Sequence, residues 1–177
     1  LLGVDASLLA SGRLDNQVSC WAAVTALAAG AGDASSQHVS VVVLNDHEEV
    51  GSASTTGAAG PLLERVLERL VLARGGSRDD LLRAYSDSAC VSADNAHAVH
   101  PNYPERHDPD HDPIVNQGPA IKLNSNQRYA TSDATAAAFT QACTAAGVPH
   151  QVFVSRNNMP CGSTIGPIIL FSLTIAT

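Results

Sequence analysis

Asp15, Glu48, Glu49 and Asp94 are the residues of this chain whose types and settings could do chemistry. The two glutamates are adjacent in Asp46-His47-Glu48-Glu49-Val50-Gly51-Ser52 and follow the apolar run 39–44. The end of a buried strand would therefore deliver two carboxylates into one small space. Buried carboxylates need a cation. Asp and Glu are hard oxygen ligands, and one carboxylate can bridge two divalent ions held about 3.5–4 Å apart, the spacing used by two-metal hydrolases. A fourth carboxylate is then free to act on water, and an adjacent glutamate pair suits that division of labour. The competing readings are plainer: a solvated surface pair for Glu48-Glu49, and a helix cap for Asp15.

Two further constellations carry weaker signals. The histidines at 97, 100, 107 and 111 include His107-x3-His111 and His97-x2-His100 spacings that could ligate zinc, although a closed structural site would need four such ligands. Hydrogen bonding within a loop is the simpler role for them. Cys161-Gly162-Ser163-Thr164, with His150 nearby, lacks both a G-x-S-x-G elbow and a partnered acid. A close approach of backbone to substrate or to another element accounts for the turn Gly162-Ser163-Thr164-Ile165-Gly166 more simply.

The elements that must position these residues are readable from periodicity. Residues 16–29 have helical spacing behind Asp15-Asn16, which puts Asp15 at a helix N-terminus. Residues 38–44 (His-Val-Ser-Val-Val-Val-Leu) are rich in valine and largely apolar, as a central strand covered on both faces would be. Pro61 opens an amphipathic helix, a second helix is predicted over 77–84, and 87–93 reads as a strand ending at Asp94. Residues 95–117 are rich in His, Asp, Asn and Pro without periodicity and form a long, ordered loop of the functional kind. A short strand at 120–123, an Ala-rich helix at 131–146 closed by Gly147, and a strand at 151–154 complete the pattern. Strands alternating with helices imply an α/β fold, in which ligands collect at the carboxyl ends of strands.

Composition bounds the partners. The chain has 177 residues, one domain's worth, with 45% hydrophobic and 15% charged residues. Its formal charge is −7, from 10 basic against 17 acidic residues, and it shows no basic cluster interleaved with aromatics. Nucleic acid and anionic membrane are accordingly poor partners. The four cysteines form no C-x-x-C pair and read as free, buried thiols, which points to reducing, intracellular conditions.

Six ordered motifs together carry a resemblance that spans nearly the whole chain. They are Arg13-Leu14-Asp15-Asn16, the 46–52 segment quoted above, Ser92-Ala93-Asp94-Asn95-Ala96-His97-Ala98-Val99-His100-Pro101-Asn102-Tyr103, Gly118-Pro119-Ala120-Ile121-Lys122, Asn126-Gln127-Arg128-Tyr129-Ala130, and the 160–168 segment Pro-Cys-Gly-Ser-Thr-Ile-Gly-Pro-Ile. The sequence resembles the aspartyl aminopeptidase family of zinc metallopeptidases. The resemblance implies a three-layer α/β fold, a mixed central sheet flanked by helices. It further implies that Asp15 bridges two zinc ions, Glu49 binds one and Asp94 the other, with Mn²⁺ or Co²⁺ as possible substitutes. Glu48 would be the general base that draws the proton from a metal-activated water. His97, Lys122 and Tyr129 would line the substrate pocket, and peptides with a free acidic N-terminus would be the substrates. The resemblance further implies a cytoplasmic protein and, as in other members of this family, a large closed homo-oligomer.

The resemblance also predicts what lies outside these motifs. The family's site takes two histidine ligands, one from an early segment that precedes a lid domain and one from a Met-His-Ser-like segment near the C-terminus. None of the seven histidines here matches either segment. The expectation is that residues 1–177 are part of a single catalytic domain, without its N-terminal segment, lid domain and extreme C-terminus, and that residues 169–177 fit the family only loosely. The alternatives are a catalytically incomplete peptidase-fold assembly module and another two-metal exopeptidase or deacylase.

Overall fold

The computed structural model describes residues 1–175, so the last two positions of the loosely matching 169–177 tail lie outside the described residues. The described chain divides into two units. The first comprises residues 1–44 together with Ala93–Asn95, and the second comprises Asn45–Ser92 and the chain from Ala96 onward.

The first unit is built on helix α1, Leu14–Gly30. Its first turn is irregular: Arg13 is left-handed at φ 64°, Asp15 and Asn16 depart from helical φ/ψ, and the Asp15–Asn16 peptide is cis. Asp15 thus lies at the helix N-terminus as predicted, but Asn16 does not cap the helix. Its side-chain amide is engaged elsewhere, donating to the carbonyl of Ala93 at 2.7 Å.

In the second unit, α2 (Leu62–Ala73) and α3 (Arg78–Ser86) pack against each other across a Gly75-Gly76 turn. Helix α3 begins with a capping box. The Ser77 hydroxyl accepts from the Asp80 amide, while the Asp80 carboxylate accepts from the Ser77 amide and hydroxyl. These helices bury Leu81 and Tyr85 with Ile169, Leu173 and Ile175, and Leu63, Leu67 and Val71 close the cluster from α2. Ile169 and Leu173 come from α5, Ile165–Leu173, which sequence periodicity does not predict. The segment 165–173 is apolar apart from Ser172, so it carries no amphipathic signature to read.

The second core lies under the sheet. Strands β1 (Ala120–Leu123) and β2 (Gln151–Val154) are parallel, in the register Ala120↔Gln151 through Leu123↔Val154, and fall where the sequence predicts them. They are joined by helix α4, Asp133–Ala146, capped by Ser132 and ended by left-handed Gly147. Ile121, Phe153, Tyr129 and Cys143 are buried here. An α/β fold results, with its described sheet two strands wide.

Two sequence expectations fail at this level. Residues 38–44 and 87–93 form no strand with a described partner, and Val39, Val41, Leu44 and Val91 are exposed. The apolar run signals burial, but a strand exists only where a neighbour supplies the ladder of hydrogen bonds. Nor are the cysteines uniformly buried. All four are free thiols, but Cys143 alone is fully buried, and Cys20, Cys90 and Cys161 are partly accessible.

Candidate functional site

The predicted site residues fall into three groups. In the first unit, paired asparagines tie the neighbours of Asp15 to the neighbours of Asp94. Asn16 donates to the Ala93 carbonyl at 2.7 Å, Asn95 donates to the Leu14 carbonyl at 3.0 Å, and the Ser19 hydroxyl reaches the Asn95 side-chain oxygen at 3.4 Å. The two aspartates are thus carried on segments cross-linked on both sides. Each bond replaces a water contact with a fixed amide contact, so the juxtaposition survives although the two residues are distant in sequence. The Asn16 side-chain oxygen is buried and has no partner among the described residues.

The second group is the glutamate pair. Glu48–Val50 forms a single 3₁₀ turn between two left-handed residues, His47 at φ 63° and Gly51 at φ 98°. The turn is pinned by Ser52 N–H to the His47 carbonyl at 2.8 Å, Gly51 N–H to the Glu48 carbonyl at 3.0 Å, and a 2.8 Å bond between the His47 ring and the Ser54 hydroxyl. Ser52 is buried and left-handed at φ 60°, and its carbonyl accepts from Ala59. Glu48 and Glu49 are exposed on this rigid turn. The expectation of a buried pair at a strand end is therefore corrected: a short turn holds them, and no described strand precedes it.

The third group converges on Phe153 of β2. Lys122 is the register partner of Phe153, so the two side chains share one face of the sheet. The Lys122 ammonium lies 5.6 Å from the Tyr129 ring centroid, and the Tyr129 ring lies 6.2 Å from that of Phe153. His97 meets Phe153 edge-on at 5.6 Å and 89°. The three residues predicted to line a substrate pocket are thus gathered around one buried ring. A fourth, His107, was not singled out for this group. It packs on both His97 and Phe153, and its Nε2 lies 3.3 Å from Nδ1 of His97. Only the tertiary contact reveals it, because its sequence setting is that of any loop histidine.

The loop 95–117 also closes over the end of β2. The Arg156 guanidinium donates to the Glu105 carbonyl, and a cavity of about 430 Å³ is lined by Asp108, His111 and residues 154–158. The His111 ring bonds the Asp108 carboxylate at 2.8 Å and holds its pKa below the usual value. The His107 and His111 rings consequently have partners other than a metal, and the spacing-based zinc reading does not materialise. At the 161–166 turn, Gly166 approaches the Ser92 side chain so closely that an added Cβ would sit 3.1 Å from it. Of the two approaches expected of this turn, Gly166, at the start of α5, makes the one to another element, while Gly162 has nothing within 4 Å of an added Cβ.

In kind, this donor set suits a divalent cation: hard carboxylate oxygens on cross-linked segments, with an orphaned amide oxygen beside them. In number it falls short. Among the described residues, no three His, Cys, Asp or Glu side chains form a group that could hold a metal ion. The described residues offer carboxylates for such a site and not a complete ligand set.

Residues 1–177 match the family described as aminopeptidase I zinc metalloprotease (M18). The chain belongs to the M18 aminopeptidase family. It is 54% identical over 168 residues to a probable M18 family aminopeptidase 2 of Streptomyces coelicolor, an alignment that takes in 94% of this chain and 39% of that protein. Among solved structures it superposes on the Ape4 and Nbr1 complex with a TM-score of 0.86 and 39% identity, over 93% of this chain and 32% of that one. The Saccharomyces cerevisiae mApe1 dodecamer aligns with a TM-score of 0.77 and 31% identity, over 93% of this chain and 37% of that one. The M18 chain described here thus spans about two-fifths of the length of the curated relatives it matches.

Proposed function

We propose that this chain supplies the carboxylates and the acidic-residue pocket of a zinc-dependent aminopeptidase that removes N-terminal Asp or Glu from peptides. The observation that carries the reading is the convergence of His97, Lys122 and Tyr129 on Phe153. A lysine ammonium, a phenol hydroxyl and an imidazole N–H make a donor set suited to a carboxylate, set beside a buried ring that excludes water. Family membership supports the reaction class and the zinc.

Asp15, Glu49 and Asp94 would hold the metals. When bound, zinc ions supply Lewis acidity toward a carbonyl and acidify a water. The chain's own residues do the rest. Lys122 and Tyr129 draw in the substrate's side-chain carboxylate and orient the first peptide bond, with His97 donating beside them. Glu48, on its rigid turn, takes the proton of the attacking water and returns it to the leaving amine. A free acidic N-terminal residue is thereby selected by its charge. Mn²⁺ or Co²⁺ could replace zinc in such a ligand set. Assembly into a homo-oligomer is part of the same reading, supported by the dodecameric mApe1 neighbour, and light scattering of the full-length protein tests it.

Glu48→Gln in the full-length protein is expected to retain its metal and lose nearly all hydrolysis of Asp- and Glu-initiated peptides. Turnover within a few-fold of the unmutated protein would remove Glu48 from the role of base. One observation favours a second reading, an assembly module that keeps the peptidase core without a working site: no group of three ligands is present among the described residues. Metal analysis of the full-length protein separates the two, since the module would bind less than one equivalent. Peptides with a blocked N-terminus separate an aminopeptidase from a deacylase or carboxypeptidase, because the aminopeptidase leaves them intact.

A further inference from the structure

His107 is 8% exposed, and the Nδ1 of its ring is buried without a hydrogen-bond partner among the described residues. Its other nitrogen, Nε2, faces Nδ1 of His97 at 3.3 Å. Two neutral imidazoles in this arrangement share one proton along the N···N line, and there are two ways to place it. If His97 donates, His107 must carry its own proton on Nδ1, as a buried donor with no acceptor. Orphaned buried N–H groups are the rarer and costlier defect, whereas an unfilled acceptor lone pair is better tolerated. If His107 donates from Nε2, no N–H is orphaned and only its Nδ1 lone pair goes unused.

We propose that His107 is a positioning residue for His97: it donates its Nε2–H to His97 Nδ1 and thereby fixes neutral His97 as the tautomer protonated on Nε2. His97 itself is exposed, so Nε2 is the nitrogen left to meet a ligand. The hydrogen bond made by one ring nitrogen determines which role the other plays. A ring held this way presents a donor and no acceptor, and it therefore recognises an oxygen acceptor such as a carboxylate or carbonyl and rejects an ammonium. Phe153 supports the geometry, since both imidazoles stand edge-on to its ring, at 5.6 Å and 89° for His97 and 6.4 Å and 70° for His107. Rotation of either ring would forfeit that packing. The consequence for catalysis rests on the proposed function above, in which His97 faces the acidic side chain. The tautomer itself does not.

The test uses the metal-loaded, full-length enzyme with ¹⁵N-labelled histidine, and assigns His97 by difference against His97→Gln. The expected spectrum has a protonated Nε2 and a bare Nδ1 at neutral His97. His107→Phe keeps a buried ring and removes the donor. It is expected to let the His97 tautomer change and to raise KM for Asp- and Glu-initiated peptides about tenfold with little change in kcat, the size of one hydrogen bond. His107→Gln restores a donor near the Nε2 position and should recover both the tautomer and most of the affinity. A wild-type His97 protonated on Nδ1 overturns the proposal, and that measurement stands even if a variant fails to fold. So does a His107→Phe protein whose His97 tautomer is unchanged. A wild-type enzyme inert toward acidic peptides would sink the function reading, while the tautomer would still decide this one.

Discussion

Asp80 shows how a single exposed residue ties local structure to pH. The Ser77 hydroxyl, the Ser77 amide and, more weakly, the Arg83 charge hold its pKa below the ordinary 3.8. A carboxylate depressed in the folded state contributes stability that is present above its unfolded pKa and lost as the pH falls through the folded value. The N-terminus of α3 is therefore expected to loosen on acidification below pH 3.8, and Ser77→Ala should weaken that dependence. Hydrogen exchange of the first-turn amides of α3, measured from neutral to acid pH, checks it. A Ser77→Ala protein with an unchanged acid profile would argue that the capping box does not set the response. At this scale the sequence was informative about identity and silent about pairing. Asp15, Glu48, Glu49, Asp94, His97, Lys122 and Tyr129 were nameable from their motifs. His107 was nameable only by a metal-ligand spacing, because the property that distinguishes it is the ring it touches.

Elements followed their periodicity where the signal was local and failed where it depended on a partner. β1 and β2 lie at the predicted residues, and α1 to α4 differ from prediction only at their ends. The positive-φ glycine that aligns the strands is open to test. Gly118 has φ +90°, a Cβ there would fall 1.8 Å from the Pro149 carbonyl oxygen, and its own carbonyl accepts from the Gln151 side chain. Gly118→Ala is expected to destabilise the protein by about 2 kcal/mol or more, since backbone meets backbone and neither atom can yield. Because Lys122 and Phe153 are set in register by this pairing, substrate binding should weaken as well. Chemical denaturation and KM for an acidic peptide read the two effects. Gly118→Ala at wild-type stability would show that the strand ends adjust. The run 39–44 is the contrary case, where apolar composition announced burial but not the neighbour that provides it.

At the scale of the molecule, apolar surface remains uncovered. Trp21 is 71% exposed on α1, Val39 72% and Phe171 91%, and helix α1 buries no residue fully. Large exposed apolar residues in such number mark surface that packs against something else. Residues 1–177 produced by themselves are expected to bind a hydrophobic dye strongly and to self-associate without a defined size, whereas full-length protein is expected to leave the dye unbound and to form a homo-oligomer of one size. Fluorescence titration with light scattering measures both, and residues 1–177 behaving as a monomer that does not bind dye would contradict the expectation. No helix of the described residues is long and apolar enough to cross a membrane, so that surface is not a helical span.

The sequence by itself determined the elements with a local signature, the family, and the residue types available for chemistry. Capping residues, strand propensity and motif order are properties of short stretches, and they persist whatever the chain later packs against. Tertiary structure decided which of those residues meet. Asparagine bonds set the Asp15 segment beside the Asp94 segment, a parallel register puts Lys122 beside Phe153, and an otherwise ordinary loop histidine is buried against His97. Each of these depends on contacts between residues remote in sequence, whose geometry is set by the closing of the whole chain and by no single stretch of it.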